Sequence, residues 1–195
     1  MNPVSQEALQ KAFISARTFN KFTSQPVSDD TLRQLYDLFK WGPTSMNSQP
    51  ARLLFLKTPE AKQRLAPALS AGNLDKTLAA PVTVIIAQDT RFYEQLPTQF
   101  PAYDAKPMFE ANQALADATA FRNSSLQGGY LIIAARLLGL ESGAMSGFDA
   151  DKVNAEFFPD GQYKVNFLLN LGYGDASGTR PRGPRLAFEE VAQVL

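Results

Sequence analysis

The sequence predicts an α+β fold, a small mixed sheet flanked by helices, in a single domain over residues 1–195. Three observations lead there. Strand-like segments are few, and they alternate irregularly with helical periodicity, unlike the regular alternation of a doubly wound sheet. VTVIIAQ, residues 82–88, is β-branched and nearly continuous in its apolar character, the pattern of a buried central strand. A chain of 195 residues with a hydrophobic fraction of 45% can build one real core, and it shows neither a linker nor an internal repeat.

The elements follow in order. SQEALQKAFISAR (5–17) spaces Leu9, Phe13 and Ala16 helically behind a Ser5 cap. Ser28 caps DDTLRQLYDLFKW, whose Leu32, Leu35, Leu38 and Phe39 share a face. Asp29 and Asp30 stand where the helix dipole favours negative charge. WGPTSMNSQP then interrupts with small polar residues between Pro43 and Pro50, and RLLFLK follows as a strand. Thr58-Pro59-Glu60 opens a helix with Pro at its first position. Residues 97–112 hold Pro97, Pro101 and Pro107 among aromatics and predict an ordered excursion or a lid. The longest helical pattern runs from Gln113 to Leu138, with Gly139 as its stop. Its middle, LQGGYLIIAARLLGL, is apolar on most faces, so it needs cover, and a partner subunit would supply it. Asp149 caps a short helix through Phe157, KVNFLLNLGYG is a second core strand, and the tail is rich in Gly, Pro and Arg before turning weakly helical.

Composition removes many chemistries. The chain has no Cys and no His, so disulfides, thiol or imidazole catalysis, and Cys/His zinc sites are excluded. Acidic residues are scattered, with no metal-ligand cluster. Net charge is zero, which argues against nucleic acid as a partner. The N-terminus lacks a signal-peptide pattern and no stretch approaches ~20 apolar residues, so no membrane association and a cytoplasmic location are expected. An enzyme of this composition would draw its chemistry from a cofactor.

GYGDASG (172–178) follows a strand but misses the dinucleotide fingerprint: its third Gly comes one residue late and a basic Pro-rich tail replaces the helix. Three clusters remain. They are Arg17-Thr18-Phe19-Asn20-Lys21, the stretch from Pro43 to Gln49, and Arg180-Pro181-Arg182-Gly183-Pro184-Arg185. Each alone also reads as solvated surface. Together they offer arginine forks for a phosphate and small hydroxyls and amides for a heteroaromatic edge, the set a flavin mononucleotide needs. In MSGFD (145–149), Gly147 would let backbone approach a ring closely, or would simply turn a strand into a helix.

These residues, in this order, resemble the flavin-dependent nitroreductase superfamily. Arg17-Thr18-Phe19-Asn20-Lys21-Phe22 occupies its opening motif, and Pro43-Thr44-Ser45-Met46-Asn47-Ser48-Gln49-Pro50 its second. Asn73, the turn at Ser146-Gly147 and the pair Arg180 and Arg182 match further motifs. KWGPTS, LSAGNLDKTLAAPVT, TAFRNSS, NLGYGD and RGPRLAFEE are similar to the HadB/RutE subfamily, which includes malonic semialdehyde reductase. The resemblance implies FMN as cofactor, NADH or NADPH as reductant, and an intertwined homodimer with flavin between the subunits. It implies that Arg17, Arg180 and Arg182 hold the phosphate, that Thr18, Asn20, Pro43, Thr44, Ser45, Asn47 and Asn73 line the cofactor, and that Ser146-Gly147 faces flavin N5. Asn20 departs from the Arg or Lys common in relatives, which predicts a missing cation. Ser146 replaces a common Glu, which suits an acidic substrate with Arg52 and Arg122 as candidate carboxylate partners. Water and Tyr103 are the candidate proton donors.

Overall fold

The computed structural model describes residues 3–195. Four strands, β1 (Ala51–Leu56), β2 (Val82–Asp89), β3 (Glu141–Met145) and β4 (Tyr163–Gly172), form one sheet in the order β1-β2-β4-β3. All three pairings are antiparallel, so the named strands do not make the mixed sheet expected. Parallel pairing survives only as an isolated bridge from Thr18 to Ser142 at the β3 edge, among the described residues. Helices nevertheless lie in every connection between successive strands and cover both faces of the sheet.

β2 is buried at every position and has strands on both sides. Its two faces serve two cores. Val82, Val84 and Ile86 join Leu169 and Leu171 beneath Leu32, Leu35, Phe39 and Leu131. Ile85 and Ala87 join Leu168, Met145, Leu65 and Phe158. The period-2 alternation of β-strand side chains produces this division directly.

Helix α1 (Gln6–Leu9) is capped by Ser5, whose hydroxyl accepts from the Ala8 N–H at 3.2 Å. The expected long helix does not continue regularly: residues Gln10–Ile14 widen into a π-turn. Ala12 is buried, Leu9 and Ala16 are half-buried, and Phe13 stands 54% exposed, so its own chain covers only part of the apolar face. α2 (Asp29–Phe39) starts on Ser28, which accepts from the Thr31 N–H, and buries Leu32, Leu35 and Phe39 while Leu38 stays exposed. α3 (Pro59–Leu65) begins on a Thr58 cap with Pro59 first. α4 (Ala71–Ala79) follows it directly.

The excursion is ordered. α5 (Leu96–Gln99) and α6 (Lys106–Glu110) carry a small core of Phe92, Tyr93, Leu96, Ala105 and Phe109, packed on Ala116 and Ala120. Those alanines begin the long α7 (Gln113–Leu137), which ends at Gly139 with φ +84°, a left-handed position that glycine adopts without penalty. α7 crosses the sheet closely: a Cβ on Gly128 would lie 2.4 Å from the Phe167 ring. The β2–β4 pairing skips Asn166, and the amide of that extra residue donates to Ser124 Oγ and Ser125 Oγ of α7 at 2.8 and 2.9 Å. The opposite side of α7 leaves Leu126, Tyr130 and Leu137 exposed. α8 (Ala150–Phe157) starts on Asp149, as its sequence indicates. The tail from Arg180 to Leu195 is exposed throughout, with α9 (Phe188–Val191) near its end. Among the described residues no helix is long and apolar enough to cross a membrane.

Leu35 is fully buried where α2 meets the sheet and α7. Leu35→Ala is expected to lower the unfolding free energy by about 2–5 kcal/mol in a denaturant titration, because the cavity left there cannot collapse onto a rigid sheet.

Candidate functional site

The first cluster assembles on the outer edge of β3. Beyond the Thr18–Ser142 bridge, the Phe19 N–H donates to the Ser142 carbonyl at 3.0 Å. Gly143 makes this approach possible, since a Cβ there would lie 2.5 Å from the Phe19 carbonyl oxygen. The chain then runs beside the end of β4: Phe22 bridges Gly174, and the Asp175 N–H donates to the Lys21 carbonyl at 3.1 Å. Asn20, half-buried, donates from Nδ2 to the Gly178 carbonyl at 3.2 Å. Residues 17–21 and the 174–180 segment thus face one another.

α4 supplies the next side. Asn73 is buried, and its Nδ2 donates to the Gly147 carbonyl at 2.8 Å, with Ser70 Oγ donating to the same oxygen at 2.7 Å. A Cβ on Gly147 would sit 2.6 Å from Asn73 Nδ2 and 2.7 Å from Ser70 Oγ, so a larger residue there would displace the two side chains that hold the turn. One helical turn after Asn73, Lys76 brings its Nζ to 3.5 Å from Asn20 Oδ1. Burial, and then the Arg180 guanidinium beside it, hold the Lys76 ammonium below the ordinary lysine range. The expected gap in positive charge at Asn20 is therefore filled from another helix. Lys76 was not singled out from sequence, although its spacing of three from Asn73 puts both on one helix face.

Arg17, Lys21, Lys76 and Arg180 make no ion pair among the described residues. Lys76 and Arg180, neighbouring cations without an ion pair among the described residues, suit an anion. Arg182 acts differently: its Nη2 donates to the carbonyls of Ile14 and Ala16 at 2.6 and 2.8 Å, which ties the tail to the segment preceding Arg17. Among the described residues no group of three or more His, Cys, Asp or Glu could hold a metal ion.

Behind this cluster lies Glu141. Its Oε2 and the Arg136 Nε are buried without hydrogen-bond partners. Burial raises the Glu141 carboxyl above its ordinary range, against the opposing pull of Arg136 and Lys11.

The second cluster is the loop before β1, and it lies elsewhere. Ser45 donates its N–H to Asn123 Oδ1 at 2.8 Å, Gln49 its N–H to Thr44 Oγ1 at 3.1 Å, and Ala51 its N–H to Gln127 Oε1 at 2.9 Å. Asn47 Nδ2 donates to the Gln99 carbonyl at 3.0 Å, and Gln49 Nε2 to Gln99 Oε1 at 3.0 Å. Met46, Asn47 and Gln49 have φ of 52°, 48° and 41°, three left-handed residues without a glycine. Pro43, Ser45 and Asn47 remain exposed and Thr44 half-buried. Gln99 is a second residue missed in the sequence, because nothing local links it to Asn47 or Gln49. Tyr103 places its hydroxyl 3.7 Å from Met46 Sδ.

The two candidate carboxylate partners differ. Arg52 Nη2 is paired with Asp89 Oδ2 at 2.7 Å, its Nη1 donates to the Gln49 and Ala51 carbonyls, and its guanidinium lies over the Tyr163 ring. It is committed to holding the start of β1. Arg122 is exposed on α7, beside the Asn123 that anchors Ser45, and has no ion pair among the described residues.

Sheet order separates the two clusters. The loop enters β1 at Ala51, level with Gln88, whereas Ser142 is level with Leu171 and Val82, near the far end of β1. Three strand spacings, about 14 Å, and six residues of strand, about 20 Å, lie between them.

Comparison with known proteins now places the chain. The Nitroreductase family profile matches residues 15–173. This chain belongs to the Nitroreductase family. A Ralstonia nicotianae protein that bears the provisional name NADH dehydrogenase/NAD(P)H nitroreductase is 57% identical over 195 residues, covering all of both chains. A Burkholderia lata nitroreductase-family relative of the same name is 56% identical over 194 residues, again covering both chains fully. Among solved structures, a nitroreductase from Exiguobacterium sibiricum in complex with FMN has a TM-score of 0.85 at 18% identity over all of both chains. The Bacillus subtilis protein ydfN has a TM-score of 0.86 at 19% identity, over 98% of this chain and 100% of its own. The nitroreductase fold is thus this chain's fold.

Glu141 titrates with a definite sign. Its folded-state pKa lies above the unfolded value, so the native state binds more protons and stability falls as pH rises from about 4.5 through the folded pKa. Glu141→Gln is expected to flatten that fall in melting temperature measured between pH 4.5 and 8.

Proposed function

We propose that this chain is an FMN-dependent NAD(P)H oxidoreductase working as a homodimer, and that it reduces malonic semialdehyde to 3-hydroxypropanoate. One observation carries the cofactor reading: Lys76 and Arg180 lie side by side next to Asn20, and neither has an ion pair among the described residues. The names of the relatives and the FMN complex of the Exiguobacterium sibiricum protein support it. A bound flavin supplies the hydride chemistry that a chain without Cys or His lacks.

The residues divide the work by their chemistry. Arg17 and Arg180 would hold the phosphate with guanidinium forks that match its oxygens, and Lys21 would add a point charge. Thr18 and Asn20 sit beside them as polar lining. Lys76, close to Asn20, would place positive charge beside a bound flavin and favour its anionic reduced form. Asn73 and Ser70 fix the Gly147 carbonyl, which turns the backbone of Ser146-Gly147 toward the reacting edge. Ser146 adds no charge there, leaving room for an anionic substrate that Arg122 meets.

The homodimer reading rests on the separation of the two clusters. Thr44, Ser45 and Asn47 line a flavin only if a second copy brings its loop to the β3 edge of the first. The exposed α7 face of Leu126, Tyr130 and Leu137 supplies apolar surface for that contact. So does the tail, whose Leu186, Phe188, Val191 and Val194 find no cover in their own chain.

A second reading, a broad NAD(P)H nitro or quinone reductase, is favoured by the names the relatives carry. Purified protein is expected to be yellow, to release FMN on denaturation and to bleach anaerobically with NADH or NADPH. A kcat/KM for malonic semialdehyde above that for a nitroaromatic supports the aldehyde, and the reverse ranking supports the second reading. Arg122→Gln is expected to raise KM for malonic semialdehyde several-fold and leave that for a neutral quinone unchanged. Lys76→Met is expected to lower the flavin midpoint potential in a redox titration, by about 30 mV for each ~1.4 kcal/mol of lost attraction.

A further inference from the structure

α4 ends without a backbone cap. Ala80 turns extended at φ −64° and ψ 141°, and Pro81 has no N–H to offer. No left-handed residue folds the chain back over the last turn, so its carbonyls need partners from elsewhere. Two buried side chains provide them. Asn170 of β4, 1% exposed, donates from Nδ2 to the Lys76 carbonyl at 3.4 Å. Lys62 of α3, 6% exposed, donates from Nζ to the Leu78 carbonyl at 3.1 Å and to the Ala80 carbonyl. The Asn170 amide is itself oriented, since its Oδ1 accepts from Thr83 Oγ1 at 2.8 Å and its Nδ2 also reaches Thr77 Oγ1 at 3.4 Å.

These are costly choices on this face of the sheet. The neighbouring positions are Ile85, Leu168, Leu65 and Met145. Thr77 and Thr83 are fully buried, and Lys62 forms no ion pair among the described residues. Burial holds its ammonium below the ordinary lysine range. Leucine or methionine would fill the same volume without desolvating an amide or an ammonium. Apolar contacts, however, let a nine-residue helix slide or turn. Directional bonds to its carbonyls do not, and the positive Lys62 also suits the helix C-terminus. The same helix carries Asn73 and Lys76, and the carbonyl that Asn170 grips belongs to Lys76 itself.

We propose that Lys62 and Asn170 are positioning residues, which clamp the C-terminal carbonyls of α4 and thereby aim Asn73 at the Gly147 turn and Lys76 at the cofactor. This rests on the flavin reading for its functional half. Neither residue touches the site, and both act through the helix.

The experiment compares Lys62→Met, Asn170→Leu, Thr83→Val and Lys62→Arg with the unsubstituted chain. Hydrogen exchange of residues 71–79 is measured in cofactor-free protein, and FMN affinity by flavin fluorescence quenching. Expected are faster exchange in α4 and an FMN Kd raised about tenfold or more in Lys62→Met and Asn170→Leu, as loss of a buried hydrogen bond implies. Lys62→Arg, which keeps the donors, is expected to stay near the unsubstituted values, and Thr83→Val to fall between. If Asn170→Leu fails to fold, Thr83→Val and Lys62→Met are read in its place. Unchanged α4 exchange, or faster exchange with unchanged FMN affinity, overturns the proposal. An unsubstituted chain that takes up no FMN sinks the cofactor assignment instead, and the exchange rates then decide the clamp alone.

Discussion

The pairing of β2 with β4 is the contact on which the rest of the molecule depends. Each strand is flanked on both edges, and β2 is buried throughout, so this pair defines two cores and two outer edges. Two of the candidate clusters hang from those edges, and α4 with Asn73 and Lys76 is held by Asn170 of β4. β3 seats residues 17–21 through the Thr18–Ser142 bridge, while β1 continues from the loop that holds Thr44, Ser45 and Asn47. A four-stranded sheet is too wide for its two outer strands to share a small ligand. The separation of the two clusters follows from strand order alone.

Charge is distributed with equal economy. The chain has 19 basic and 19 acidic residues, yet Lys76 and Arg180 lie side by side without an ion pair among the described residues. Most other Lys and Arg side chains with defined contacts do mundane work. Arg52 neutralises the buried Asp89, and Arg182 satisfies two carbonyls. The same residue type therefore means different things at different places, and only its partners distinguish them.

Much of the fold was legible because local signals agreed with it. Ser5, Ser28, Thr58 and Asp149 all cap where the sequence puts them, and Gly139 ends α7. Three of four strands announced themselves through β-branched or leucine-rich runs. β3 did not, since Glu-Ser-Gly-Ala-Met has no strand preference and is extended only because β4 pairs with it. The first helix misled in part: its apolar spacing was real and Ala12 is buried, but Phe13 stays exposed. The candidate site was half legible. Motif order found Asn20, Asn73 and Gly147, whereas Lys76 and Gln99 emerged only from contacts between segments distant in sequence. Those contacts are products of tertiary geometry, which no window of sequence contains.

The loop before β1 has one further consequence. Left-handed backbone at Met46, Asn47 and Gln49 costs on the order of 1–3 kcal/mol apiece, and the bonds from Asn123, Gln127 and Gln99 hold it in place. That debt is settled when the polypeptide folds. A ligand binding there would meet backbone already fixed by folding, with little conformational freedom left to surrender on capture.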